Sequence, residues 1–416
     1  MLVGSGNITF QSRLDGNGNG VQSKTIQLYY IAYDANASSG EGTPVLFYTY
    51  NFPAFNVTTI RDISAPIPPE IANSTSAFRF RVSFIGQGGN QRAYSDNYIF
   101  PGTYWSDPAN SCNPMATMPD ADGDGVPDSQ DSYPQDPYRA YNNYYPSQNG
   151  FGTLAFEDSW PFRSDYDMND LVVNYKFNTV TNASNNIVEV IGKVITRASG
   201  ASYRNAFGFQ LDGIASSKIT SVSGNSINPG TIFQFQGNGL EAGQTYANCI
   251  VFDDFYKVMQ HPGAGSGINT SATAPTVAYD TLTVTMIFIN NGVPPAGGTV
   301  NITELSSIPY YNFYIVVDQV RGNEIHLADR GPTNLANTSL FGTGIDDSNP
   351  AQGKYYKTAN NLPWAINVIQ GLDYPNEKSS INDAYLHFVE WAESSGVSYP
   401  DWYMNLPGYR DASKIY

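Results

Sequence analysis

Charge is what this chain has least of. Only 14% of its 416 residues are Asp, Glu, Lys or Arg, against roughly a quarter in ordinary soluble proteins. What charge there is leans acidic, with 37 Asp and Glu to 21 Lys and Arg and a net of −16. That balance argues against nucleic acid and anionic membrane surfaces as partners, since both are held by Lys and Arg. It favours divalent cations. Histidine is scarcer still. His261, His326 and His387 are the three, and they lack the H-E-x-x-H spacing of a zinc protease. His326, between Ile325 and Leu327 in a short strand, and His387, near the apolar side of a helix, read as packed residues. There is no Walker A loop and no G-x-S-x-G elbow. No apolar run approaches the ~20 residues of a membrane-spanning helix. The start, Met1-Leu-Val-Gly-Ser-Gly, lacks a basic region and an apolar core, so the chain is expected to be the mature part of a longer precursor. Two cysteines, Cys112 and Cys249, either pair in an oxidising compartment, tying a linker to a second domain, or stay free.

In place of charge the chain has 30 Tyr, 38 Gly and turns rich in Asn, a surface polar but largely uncharged. Hydrophobic residues make up 41%, enough for sizeable cores in two or three domains.

The most specific feature is Asp120-Ala-Asp122-Gly-Asp124-Gly125-Val126-Pro-Asp128-Ser-Gln-Asp131. Carboxylates stand at positions 1, 3, 5, 9 and 12 of the loop, with Gly at 6. This is the spacing by which an EF-hand-type loop wraps oxygens around Ca²⁺. Asp120, Asp122, Asp124 and Asp131 are expected to coordinate by side chain, Val126 by its carbonyl and Asp128 through water. Without a cation the loop crowds five like charges. Pro119, Pro127, Pro134 and Pro137 oppose the flanking helices of a regulatory EF-hand. With Pro134-x-Asp136-Pro137 after it, the pattern resembles a single thrombospondin type 3 calcium repeat. That resemblance implies a calcium-stiffened extracellular linker.

Residues 1–110 read as an all-β sandwich of immunoglobulin-like size, with strands expected at Thr25–Ala32, Pro44–Tyr50 and Ala77–Ile85. In the last, Phe78, Phe80, Val82 and Phe84 alternate with Arg79, Arg81 and Ser83. Residues 111–150 read as the calcium-binding linker, with Tyr138, Tyr141, Tyr144 and Tyr145 expected to pack on a neighbouring domain, the alternative being an exposed adhesive surface. Residues 151–416 read as a larger β-sandwich or jelly-roll domain. Its strands are expected at Leu171–Phe177, Ile187–Thr196, Ala206–Leu211, Thr231–Phe235, Tyr246–Phe252, Thr281–Ile289 and Tyr311–Val317. One C-terminal helix follows, capped by Ser380 with Asp383 at its third position. Ile381, Ala384, Tyr385, Phe388 and Ala392 form its apolar stripe, and Gly396 ends it.

A second acidic cluster runs from Phe156 to Val173. Asp165, Asp167 and Asn169 have period two, with Glu157, Asp158 and Asp170 nearby, and a second calcium site is expected there. The alternatives are a loop capped by backbone N–H groups, or Glu157 and Asp165 as the acid and base of a glycosidase. The residues Phe156-Glu-Asp-x-Trp-Pro…Asp165-Tyr-Asp-x-Asn-Asp-Leu-Val-Val, Gly322-Asn-Glu-Ile-His-Leu, Tyr356-Lys-Thr-x-Asn-Asn-Leu-Pro-Trp-Ala and His387-Phe-x-Glu-Trp-Ala-Glu-Ser resemble the LruC domain family of secreted bacterial proteins common in Bacteroidota. The resemblance spans about residues 150–416. It implies a cell-surface or extracellular β domain and no catalytic activity.

Asn-x-Ser/Thr sequons at Asn7, Asn36, Asn56, Asn73, Asn182, Asn269, Asn301 and Asn337, and the Asp-Thr-Leu around Thr281, are candidate glycosylation sites. Together these features lead us to expect a non-enzymatic, calcium-stabilised extracellular protein. One reading is a self-assembling fibre or matrix subunit, with Ile8–Gln11 adding to a neighbour's sheet edge. The other is an adhesin or glycan-binding module using Trp105, Trp364, Trp391 or Trp402.

Overall fold

The computed structural model describes residues 6–15, 25–32, 42–52, 60–72, 78–85, 92–99, 119–200, 202–305 and 311–416. The chain divides into two compact units, Met1–Thr117 and Met118–Tyr416. Cys112, Trp105 and the sequons at Asn36, Asn56 and Asn73 lie outside the described residues.

The first unit has six described strands: β1 (Asn7–Asp15), β2 (Thr25–Ala32), β3 (Val45–Asn51), β4 (Arg61–Pro66), β5 (Phe78–Ile85) and β6 (Arg92–Ile99). They form two antiparallel sheets, ordered β4-β1-β6 and β3-β2-β5. Alternation turns Ile8 and Phe10 of β1, Ile63 and Ala65 of β4, and Ile26 and Leu28 of β2 into one shared core, as in a two-sheet sandwich. Phe78, Phe80 and Val82 pack against it while Arg79 and Arg81 face out. Ile8–Gln11 is therefore not a free donor strand. It is the middle strand of its own sheet, paired on both sides.

The second unit has eleven described strands: β7 (Tyr141–Tyr145), β8 (Gly152–Phe156), β9 (Leu171–Thr181), β10 (Ile187–Ala198), β11 (Ala206–Ala215), β12 (Ser221–Ser223), β13 (Tyr246–Phe252), β14 (Thr281–Ile287), β15 (Tyr311–Val316), β16 (Glu324–His326) and β17 (Ala365–Val368). A large antiparallel sheet has the order β12-β14-β10-β9-β8-β17, with β7 also on β9. A small sheet has the order β13-β11-β15-β16. Between them lies an aromatic core. Phe177 meets Tyr311 at 4.3 Å and Tyr175 meets Phe313 at 4.9 Å between ring centroids, each buried ring contributing about 1.5–3 kcal/mol.

The opposite face of the large sheet is covered too. Ala155, Val172 and Ile366 pack there against Ile381, Ala384, Tyr385, Phe388 and Trp402 of the C-terminal segment. All five residues of β8 are buried, as expected of a strand covered on both faces.

The C-terminal helix is divided. After α1 (Phe255–Val258), the segment forms α2 (Ile381–Ala384) and α3 (Phe388–Glu393). Ser380 caps α2 through the Asn382 N–H. Tyr385 is extended, and Leu386 N–H donates to Tyr409 O, so pairing with a distant stretch interrupts the helix. Gly396 has φ +86° and its N–H closes on Trp391 O, the expected stop. Thr231–Phe235 is not a strand. It is a coil whose Phe233 packs on the outer face of the small sheet with Ile250 and Tyr314.

Candidate metal centres

The loop at Asp120–Asp131 belongs to the second unit and is fastened to the large sheet. Ser132 N–H donates to Ala140 O, and Ala140 N–H donates to Thr181 O. Arg139 joins Asp136 at 2.6 Å and Glu189 of β10 at 2.8 Å, and β7 continues the sheet along β9. Residues 119–150 are thus an extension of the large domain, not a separate strut. Of the connector tyrosines, Tyr145 packs on the aromatic core, Tyr141 and Tyr144 are half-buried, and Tyr138 is 42% exposed.

Within the loop one oxygen of most carboxylates folds the backbone. Asp120 accepts from Gly123 and Gly125 N–H, Asp122 from Asp124 N–H, Asp124 from Val126 N–H, Asp128 from Ala121 N–H and Asp131 from Tyr133 N–H. Gly125 takes φ +96°, a conformation that suits glycine. Asp120 gives both of its oxygens to the backbone in this way. Oxygens of Asp120, Asp122 and Asp124 lie within 4.8 Å of one another. Oδ2 of Asp122, Asp124 and Asp131 are buried and accept no hydrogen bond. Burial pushes the Asp131 carboxyl up, as do the charges of Asp124, Asp122 and Asp128, against the lowering bond from Tyr133 N–H. Inward, orphaned carboxylate oxygens are what an oxygen-seeking cation requires.

The second cluster is built from the turn after β8 and the approach to β9. Oxygens of Glu157, Asp165 and Asp167 lie within 4.8 Å of one another. Glu157 is fully buried and Asp165 exposed. Glu157 accepts from Ser164 Oγ and from Met168 N–H at 2.6 Å. Asp167 accepts from Lys378 N–H at 2.7 Å and Asp170 from Asp158 N–H at 2.9 Å. Asn205 donates to Asp158. Burial, and then the charge of Asp167, push Glu157 up to about 8; burial, and then Asp165, push Asp167 up to about 7. Asp158 is pushed up to about 6, chiefly by burial. Burial with the charges of Glu157 and Asp158 holds Asp170 well above its usual range.

Sequence reasoning missed the other buried charge centre. Arg321 bonds both Glu241 and Glu324, and His326 sits between Asn312 and Glu324 at 2.7 and 2.9 Å. Burial alone would raise Glu324, but the His326 bond and the charges of His326 and Arg321 hold it down to about 2. Nothing local in the sequence joins Glu241 to Arg321, 80 residues apart.

Other expected sites fare unevenly. Asn269 is 2% exposed and its Nδ2 donates to Arg197 O and Val277 O, so the folded protein withholds that sequon. Asn7, Asn337 and Thr281 are exposed, while Asn182 and Asn301 are half-buried. Cys249 is a free, fully buried thiol, pushed up to about 12 by burial. Trp364 and Trp402 are core residues, 2% and 1% exposed, so neither offers a face to a sugar. No helix among the described residues is long and apolar enough to cross a membrane.

A family model described as "Domain of unknown function (DUF4842)" matches residues 185–403. The chain belongs to that family. Both carboxylate clusters precede the matched segment, while Gly200, Arg321, Glu324 and Lys378 fall inside it. No curated protein matches. Among solved structures, the chain is similar to a "Putative lipoprotein" from Bacteroides ovatus at TM-score 0.50 and 16% identity, covering 97% of this chain and 98% of that one. At that identity the likeness speaks to fold.

Proposed function

We propose that this chain is a non-catalytic, calcium-stabilised protein of the bacterial cell exterior that assembles with copies of itself into a fibre or matrix. The observation that carries the calcium part is the set of buried, unpartnered oxygens of Asp122, Asp124 and Asp131 turned into one loop. Calcium bound there would stabilise the folded state by mass action. It would hold the loop against the turn that leads into β7. The lipoprotein description of the similar structure and the resemblance to secreted LruC domains support an exterior address.

Self-association is supported by the first unit. Its edge strands expose apolar side chains: Val45 and Leu46 of β3, Phe84 and Ile85 of β5 and Ile99 of β6, at 43–66%. An exposed apolar edge is a template for pairing with another chain. A glycosidase is disfavoured because Glu157 is fully buried with both oxygens occupied by bonds.

A glycan-binding module is the second reading. A groove of 340 Å³ beside Trp391, lined also by Asp329, Arg330, Lys357 and Asn361, favours it. Negative-stain electron microscopy of the purified chain in millimolar calcium and then in EDTA separates the two. We expect regular polymers that loosen in EDTA. Discrete monomers in both buffers would remove the fibre reading and leave the groove as the place to look.

A further inference from the structure

The second acidic cluster carries more than its count of acids. Among the described residues no Lys or Arg forms an ion pair with Glu157, Asp158, Asp165, Asp167 or Asp170. Beside these carboxylates lies Asn169, 0% exposed, whose Oδ1 accepts no hydrogen bond. Its orientation is set, because Nδ2 donates to Pro375 O at 3.1 Å. Turned over, the amide would place oxygen against oxygen. Asn169 Oδ1 and Asp170 Oδ1 converge on the bare α-carbon of Gly200. A β-carbon there would lie 2.4 Å from the first and 2.8 Å from the second. A carboxyl can take up a proton and bond to a neighbouring oxygen, but a buried amide oxygen needs a donor or a cation.

We propose that this cluster is a second, buried site for a hard divalent cation of the calcium class, and that the ion locks the C-terminal helical segment onto the large sheet. The donors are carboxylate and amide oxygens without nitrogen or sulfur, the set that suits hard cations. Several carboxylates crowding one point favour calcium over magnesium, which keeps its waters and takes one or two. The locking follows from what the same loop holds. Asp167 Oδ2 accepts from Lys378 N–H, Asn169 reaches Pro375, and Tyr166 O accepts from Ile381 N–H at 2.7 Å. Tyr166 and Met168 hold φ of +61° and +54°, a left-handed backbone that persists only when its surroundings fix it. A filled site fixes it. An empty one leaves the Asn169 oxygen and the crowded acids without a cationic partner, and the loop is then free to open and release residues 375–416.

The site is independent of the Asp120–Asp131 loop, and the test separates them. The full chain is digested briefly with protease in calcium or EDTA and the cuts mapped by mass spectrometry. Bound calcium is counted by equilibrium dialysis. We expect calcium to slow cleavage within 375–416 by about tenfold or more. Asp167→Asn should bind one ion fewer and lose that protection. Asp165→Asn, at an exposed position that folding tolerates, should do the same. Asp122→Ala should lose the other ion and keep the C-terminal protection. If the two cluster variants bind as much calcium as wild type and cleavage is the same with and without EDTA, the proposal is overturned. If Asp122→Ala abolishes all binding, it is also overturned while the loop reading stands. If only the cluster variants lose calcium, the loop reading fails and this one holds.

Discussion

Two sets of buried acids in the same unit solve one problem in different ways. Glu241 and Glu324 are paired from within the chain by Arg321, and the His326 ring also bonds Glu324. Both face the same guanidinium, supplied by the chain itself. Glu157, Asp158, Asp167 and Asp170 are as deeply buried, yet among the described residues no basic side chain pairs with them. The result is visible in their acidities, Glu324 held down to about 2 and Glu157 pushed up to about 8. A fold that builds a cation in at one place and leaves it out at another makes the second place responsive to its surroundings. The proposed calcium chemistry rests on that contrast.

The strongest way to break the contrast is to remove the built-in cation. Arg321→Ala strands two buried carboxylates and should cost about 3–5 kcal/mol, read as a lower urea midpoint. Glu157→Gln, measured in EDTA, should cost far less or even stabilise, because it relieves repulsion. Equal losses would mean that the two clusters are not different in kind. A smaller effect is expected at Gly200. Gly200→Ala drives a methyl group between Asn169 Oδ1 and Asp170 Oδ1, and overpacking of this kind costs about 1–3 kcal/mol. That loss should appear with and without calcium. A variant as stable as wild type would show that the oxygens do not converge there.

The two clusters also differ in how far the sequence reveals them. The Asp120–Asp131 loop is local. Its ligand spacing is contained in consecutive residues, and in the structure Oδ2 of Asp122, Asp124 and Asp131 are buried without a hydrogen bond while Asp120 gives both oxygens to the backbone. The second cluster is legible only in its first half. Glu157 to Asp170 lie close in sequence, but Gly200, Pro375 and Lys378 come from 30 to 211 residues away. The same rule governs the fold. Alternating strands such as Phe78–Ile85 and Thr281–Ile287 fall where their pattern places them. β8 and β17 were invisible, because strands covered on both faces show no alternation. The single long helix failed at Tyr385, where a partner at Tyr409–Arg410, not any residue of the helix itself, sets the backbone.

The most direct test of the calcium account is thermal unfolding of wild type and of Asp122→Ala and Asp124→Ala, each in calcium and in EDTA. With calcium at a hundred times its dissociation constant, one site should add about 2.7 kcal/mol, a rise of several degrees in Tm. Each variant should lose the part of that rise due to the loop, while in EDTA it falls below wild type only by the backbone hydrogen bond its carboxylate accepts, about 0.5–1.5 kcal/mol. Variants that melt like wild type in both buffers would contradict the account, and the Asp120–Asp131 loop would be an acidic turn and nothing more.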